Sequence, residues 1–253
     1  MTGTVFVIGL GPGPEKWLVP EAQSALAQAD ALIGYAAYTD RVPERDGLER
    51  FPTDNRVELD RARHALQLAQ SGRTVAVVSG GDAGVFGMAA AVLEAIEECA
   101  PEGREIDLRI VPGVSAVLAA AARLGAPLGH DFCVISLSDN LKPWEIIARR
   151  LRAAAEGDFV MAFYNPASKA RPRQIFDAFD LLRQLRPAQT PVAFARAVGR
   201  PDERVILTTL EKADPGVVDM ATLVLIGSSE TRFIARAGRE PWLLTPRSYG
   251  VGR

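Results

Sequence analysis

The chain has 253 residues, 48% of them hydrophobic and 24% charged, with a formal net charge of −2 and a pI near 5.8. That size and balance fit one large α/β domain or two small ones with a sizeable core. They argue against a nucleic-acid partner, because no global positive field is present.

In chain order, TVFVIGLG (4–11) is short, β-branched and followed by glycines, which predicts a buried strand. PEAQSALAQAD (20–30) has the proline start and alanine–leucine content of a helix, and ALIGY (31–35) reads as a second strand. RVELDRARHALQLAQ (56–70) has the period of an amphipathic helix, and its charged stretch ELDRARH (58–64) reads as a solvated face. TVAVVSGGDAGVFGM (74–88) is strand, glycine-rich turn and helix start, continued by AAAVLEAIEE (89–98). IDLRIVPGVSAVLAAAARLG (106–125) repeats that arrangement. Strands alternating with helices through short loops predict a mostly parallel, helix-covered sheet.

After GAPLGHD (125–131) the pattern changes. FCVISLS (132–138) is a strand, PWEIIARRLRAAAEG (143–157) a helix, DFVMAFYN (158–165) a strand and RPRQIFDAFDLLRQL (171–185) a helix. TPVAFARAV (190–198), RVILTTLE (204–211) and ATLVLIGS (221–228) are further strands. The second half is strand-richer, so two α/β domains are expected, over residues 1–120 and 121–253. Cys99 and Cys133 are far apart and lack metal-ligand neighbours, which argues against a disulfide framework or a metal site. No apolar run reaches the ~18 residues of a membrane span, and MTGTVFVIG lacks the marks of a signal peptide. A cytoplasmic protein without a membrane partner is expected.

The first glycine loop, VIGLGPGPEKW (7–17), sets Gly9 and Gly11 where a dinucleotide fingerprint would, but Pro14 stands at the third glycine. The next helix starts only at Pro20, and no glycine-lysine-serine/threonine follows, so a pyrophosphate or P-loop cradle is disfavoured. Pro12 and Pro14 stiffen the turn and remove backbone donors, which suits a rigid wall against an uncharged part of a ligand. SGGDAGVFG (79–87) puts Asp82 at a predicted strand end, where open α/β sheets bind ligands. Asp82 reads either as an acceptor for a ribose or amino group or as the cap of the following helix. VPGVSA (111–116) sets Ser115 at another strand-to-helix junction, with the same capping alternative.

Taken in this order, GLGPGPEKW, SGGDAGVFG and VPGVSA resemble the loops of the tetrapyrrole methylases, the S-adenosylmethionine-dependent enzymes of cobalamin and sirohaem synthesis. The resemblance covers nearly the whole chain. IGYAAYTD (33–40), VVSGGDAGVFGMA (77–89), FCVISLSDNLKPWEIIARRL (132–151), DFVMAFYNPASKARP (158–172) and TPRSYG (245–250) are similar to the family's C-17-methylating branch. Two departures are the LVP after the first loop, where a leucine-threonine often stands, and Ala83, where many relatives carry proline. The resemblance implies two α/β domains with an interdomain cleft. S-adenosyl-L-methionine would lie in that cleft, with the tetrapyrrole on the N-terminal side, and the usual assembly is a homodimer. It implies methylation of precorrin-3B at C-17 with ring contraction to precorrin-4, and leaves open the cobalt-bearing counterpart of that substrate.

By the same resemblance, cofactor contacts fall on Gly80, Gly81, Asp82, Val85, Phe86, Ser115, Ala116, Asn165 and Ala197. Pro12, Gly13, Tyr35, Tyr38 and Arg171 are expected at the tetrapyrrole. Ring contraction moves a proton, so an acid or base is needed; Tyr35, Asp82, Ser138 and Asn165 are the candidates, with Tyr38, Asp139 and Arg171 beside them. Plainer readings remain: Tyr35 and Tyr38 as core or rim aromatics, Asn165 as part of an asparagine-proline turn, Arg171 and Arg173 as a solvated first helical turn. A ribosomal RNA or protein methylase of the same fold is disfavoured by the acidic balance. A non-catalytic tetrapyrrole carrier is disfavoured by the intact loops.

Overall fold

Five short segments build the first sheet: β1 (Thr4–Gly9), β2 (Ala31–Tyr35), β3 (Glu49–Thr53), β4 (Val75–Ser79) and β5 (Asp107–Val111). In the computed structural model, which describes residues 3–54, 57–99 and 105–250, all pair in parallel in the order β3-β2-β4-β1-β5. Between them run α1 (Pro20–Gln28), the short α2 (Ala36–Thr39), α3 (Glu58–Gln70) and α4 (Met88–Glu98). Arg56, the first residue of the helix expected over 56–70, lies outside the described residues.

The central strands are buried on both faces, as parallel strands covered by helices must be. Val5, Val7, Ile33, Val75 and Val77 pack with α3 and α4 through Ala62, Leu66 and Val92. Their alternates Phe6, Ile8, Leu32 and Val78 pack with Ala22 and Ala25 of α1. Sequence pattern does not announce β3: its ERFPT carries a proline and charges, which an edge strand tolerates because one side needs no ladder bonds.

The chain divides into two units, Met1–Ala116 and Val117–Arg253, and the division falls at the first residue of α5 (Ala116–Leu124). The second unit adds β6 (Gly125–Ala126), β7 (Phe132–Ser136), α6 (Trp144–Glu156), β8 (Val160–Tyr164), α7 (Gln174–Arg183), β9 (Pro191–Arg196), β10 (Arg204–Thr209) and β11 (Thr222–Ile226). A hairpin, β12 (Arg232–Arg236) and β13 (Arg239–Leu244), pairs with β6 in a small three-stranded sheet. The larger sheet runs β10-β9-β11-β8-β7 and is mixed: β7 and β8 are parallel, the other pairs antiparallel. Its core joins Met161, Phe163, Phe194 and Val224 to Ile147 and Leu151 of α6 and Ile175 and Phe179 of α7. α7 starts at Gln174 rather than at Arg171, because Ser168 and Arg171 exchange two backbone hydrogen bonds in a turn ahead of Pro172.

Candidate active site

In the first unit the three glycine loops leave adjacent parallel strands at one level. Gly9 is paired with Ser79, and Ile8 with Val111. The loops then lock onto one another through bare backbone. Gly11 and Gly81 exchange two N–H···O bonds of 3.0 and 2.9 Å. A Cβ on Gly113 would lie 2.3 Å from the Gly81 carbonyl oxygen, and one on Gly9 would lie 2.7 Å from the same atom. Glycine is required here because three chains meet without room for a side chain.

Of the two readings its sequence position offers for Asp82, the structure excludes the helix cap. The following helix begins only at Met88, so Asp82 does not cap it. Its carboxylate accepts the amide of Gly84 at 2.8 Å and the amide of Gly113 at 2.9 Å, tying the second loop to the third. Ser115 is buried immediately before α5. The first loop, with Pro12 and Gly13, is held by Arg41, a residue without any motif around it to single it out. Its guanidinium donates to the carbonyls of Leu10 and Gly13 at 2.9 and 3.0 Å.

Tyr35 closes β2 at the same edge and Tyr38 stands in α2, the two rings edge-to-face with centroids 5.4 Å apart. The helix expected to present a solvated charged face instead buries one of its charges. Arg61 is 4% exposed, and burial pulls its pKa down against the opposing fields of Glu58 and Tyr38. The sequence signal was available: Arg61 shares the buried stripe of Ala62, Ala65, Leu66 and Ala69.

In the second unit β8 and β9 both run antiparallel to β11, and β7 runs parallel to β8, so the carboxyl ends of β7, β8 and β9 share an edge. Asn165 follows β8; its Nδ2 donates to Ser136 Oγ at 3.0 Å, the same oxygen that receives the amide of Ser138 at 3.3 Å. Arg171 is 9% exposed rather than solvated, and donates to the Asn165 carbonyl at 3.4 Å; Arg173, by contrast, is exposed. Asp139 accepts a 2.8 Å bond from Gln174 and stands 4.0 Å from the Arg171 guanidinium. Ala197 follows β9 and donates its amide to the Ala221 carbonyl. An apolar hollow of about 490 Å³ opens beside this edge, walled by Ala167, Pro172, Phe176, Val218 and Met220.

Backbone strain marks three of these places, and Asp158 at the opposite end of β8. Among the described residues only Phe86, Asp158, Asn165 and Ala197 are non-glycine residues with positive φ, between 49° and 55°. Such conformations cost on the order of 1 kcal/mol or more and gather at ligand-binding positions. Phe86, half exposed next to the second glycine loop, presents a large apolar face.

Glycine loops braced at the carboxyl ends of parallel strands, with a polar second edge, are the kind of arrangement on which α/β enzymes bind small ligands. The chain belongs to the tetrapyrrole (corrin/porphyrin) methylases, whose family model matches residues 4–214; these enzymes draw their methyl group from S-adenosyl-L-methionine. It is 57% identical to a precorrin-3B C(17)-methyltransferase from Sinorhizobium sp over 98% of each chain. It is 47% identical to the protein CobIJ of Mycobacterium tuberculosis, covering 98% of this chain and 49% of that one. It is 43% identical to a probable cobalt-factor III C(17)-methyltransferase of Salmonella typhimurium, over 96% and 98% of the two chains. The crystal structure of the methyltransferase CobJ superposes with a TM-score of 0.92 at 53% identity, covering 97% of this chain and all of that one.

Proposed function

We propose that the protein transfers a methyl group from S-adenosyl-L-methionine to C-17 of precorrin-3B, with contraction of the macrocycle to precorrin-4. The observation that carries this is the 57% identity, over nearly the full length of both chains, to an enzyme of that name. It is joined by the mutually locked glycine loops, which leave backbone groups bare for a ligand. The donor supplies an already activated methyl group. The chain's task is therefore to hold and align, which can lower a barrier without acid or base.

Gly80, Gly81, Asp82, Val85, Phe86, Ser115, Ala116, Asn165 and Ala197 are the proposed cofactor contacts. The bare glycine backbone supplies donors and acceptors, and Phe86 supplies apolar surface. The apolar hollow beside Asn165 has walls suited to an adenine ring. Pro12, Gly13, Tyr35, Tyr38 and Arg171 are the proposed macrocycle contacts. Of the four candidates for the proton that moves in ring contraction, Tyr35, Asp82, Ser138 and Asn165, the Asp82 and Asn165 side chains are already held in loop-bracing hydrogen bonds, whereas Ser138 is tied only through its backbone amide. A homodimer in the cytoplasm is the proposed setting.

Incubation with precorrin-3B and isotopically labelled S-adenosyl-L-methionine tests the reading. Labelled, ring-contracted product is expected; cofactor binding without product would overturn the assigned acceptor. The 43% identity to a cobalt-factor III enzyme supports a second reading, a cobalt-bearing acceptor. Running the same assay with the cobalt-loaded substrate separates the two.

A further inference from the structure

Tyr35 and Tyr38 are half-buried, and among the described residues neither phenol hydroxyl has a hydrogen-bond partner. Tyr38 is fitted closely to the second glycine loop: a Cβ on Gly80 would lie 2.7 Å from its Cε1 and 3.2 Å from its hydroxyl oxygen. The ring therefore cannot swing inward, and the loop cannot accept a larger residue there. Tyr38 is thus held in a fixed position beside the second loop, with Tyr35 edge-to-face against it.

Arg61 is enclosed close to Tyr38. Its Nε donates to Thr53 Oγ1 at 2.7 Å, one terminal nitrogen donates to the Asp54 carbonyl at 2.6 Å, and the other reaches Met88 Sδ at 3.1 Å. Among the described residues no carboxylate closes an ion pair with it; Glu58, exposed and one turn back along α3, acts only through space. A buried guanidinium satisfied by neutral acceptors keeps its full charge in a medium that screens it poorly. Keeping a charge there is costly unless something anionic comes to face it.

We infer that Tyr35 and Tyr38, with the charge of Arg61 behind them, form a subsite for one carboxylate side chain of the macrocycle. This rests on the tetrapyrrole reading above and names which part of the substrate the tyrosines hold. The two hydroxyls donate to the carboxylate oxygens, and Arg61, too enclosed to touch the ligand, acts as the positioning charge. An ester or amide side chain would accept the same hydrogen bonds but gain nothing from the guanidinium, so the subsite selects the ionised acid.

The test is equilibrium binding of precorrin-3B, read by its absorbance in the presence of S-adenosylhomocysteine, with calorimetry of S-adenosylhomocysteine alone in parallel. Tyr35→Phe and Tyr38→Phe should each weaken precorrin-3B binding about tenfold or more, as loss of a hydrogen bond to a charged group does. Arg61→Gln should weaken it similarly, while Arg61→Lys restores much of the affinity. None should move S-adenosylhomocysteine affinity. Unchanged precorrin-3B affinity in the Tyr35→Phe, Tyr38→Phe double variant overturns the subsite while leaving the proposed reaction standing. Should Arg61→Gln not fold, the tyrosine variants decide alone. A wild-type protein that binds S-adenosylhomocysteine but no precorrin-3B overturns the subsite together with the reading it rests on.

Discussion

The carboxylate of Asp82 receives the amide of Gly113, 31 residues further along the chain, at 2.9 Å, while its other oxygen receives the amide of Gly84. One side chain thereby fixes the relation between two of the three loops. Asp82→Ala removes both charge-assisted bonds and leaves the partly buried Gly113 amide without its acceptor. Such losses typically cost roughly 1.5–3 kcal/mol. The expected result is a lower melting temperature and weaker S-adenosyl-L-methionine binding, with Asp82→Asn intermediate because it can keep one acceptor. A melting temperature and calorimetric affinity both equal to wild type would show that the loops hold without this tie.

Gly113→Ala should be more damaging than its small size suggests. The added methyl would stand 2.3 Å from the Gly81 oxygen and 2.7 Å from the Gly9 oxygen, both backbone atoms that cannot rotate away. Overpacking of this kind costs about 1–3 kcal/mol, and the displaced loops should bind the cofactor poorly. Gly250→Ala is the control: nothing lies within 4 Å of its Cβ, and it should change stability by less than about 0.5 kcal/mol. Urea unfolding of the two variants makes the comparison.

What could be read beforehand follows from the range over which each feature is encoded. The strands and glycine loops were legible because a β-branched run followed by glycines is a local pattern, and ALIGY matches β2 residue for residue. The locking of Gly11 to Gly81 and of Asp82 to Gly113 was not, since each joins segments far apart in sequence. Arg61 was hidden by its charged neighbours and betrayed only by its place on an alanine–leucine stripe. Positive φ at Phe86 and Ala197 has no sequence signal at all, for neither side chain favours that conformation; Asp158 and Asn165 do. The β12–β13 hairpin was missed because FIARAGREPWLL mixes charge and a proline into its strands, although Gly238, with φ +65°, marks the turn.

Cys133 should be a poor nucleophile despite being a free thiol. Burial in β7 pushes its pKa up to about 11, only partly offset by the Arg186 charge. Because the thiolate is the reactive form, a thiol reagent at pH 8 should modify it orders of magnitude more slowly than an unperturbed cysteine. The rate should climb about tenfold per pH unit until the protein unfolds. Peptide mapping after timed alkylation reads this directly, and rapid labelling of Cys133 at pH 8 would contradict the burial.

Asp158 anchors the far end of β8 and should make the second unit acid-sensitive. Its carboxylate accepts the amide and hydroxyl of Ser229 at 2.9 and 2.6 Å and the Tyr249 hydroxyl at 3.0 Å, and it pairs with Arg186, whose side chain is 4% exposed. Burial by itself would raise the Asp158 pKa; the bonds from Ser229, Arg186 and Tyr249 outweigh it and hold the carboxyl below its ordinary value. A carboxyl depressed in the folded state binds fewer protons there than in the unfolded chain. Its stabilisation is therefore complete above the unfolded value, about 3.9, and is lost as pH falls through the folded one. Asp158→Asn should cost about 3–5 kcal/mol at pH 7, since Arg186 is left buried without its counter-charge. The stability difference between wild type and Asp158→Asn should narrow as pH drops below about 4, where the unfolded chain takes up a proton that the folded carboxyl still refuses. Tyr249→Phe, losing one hydrogen bond at an exposed position, should cost no more than about 1.5 kcal/mol. Urea unfolding of the three proteins from pH 3 to pH 7 reads all of this, and a difference that stays constant with pH would remove Asp158 as the titrating group.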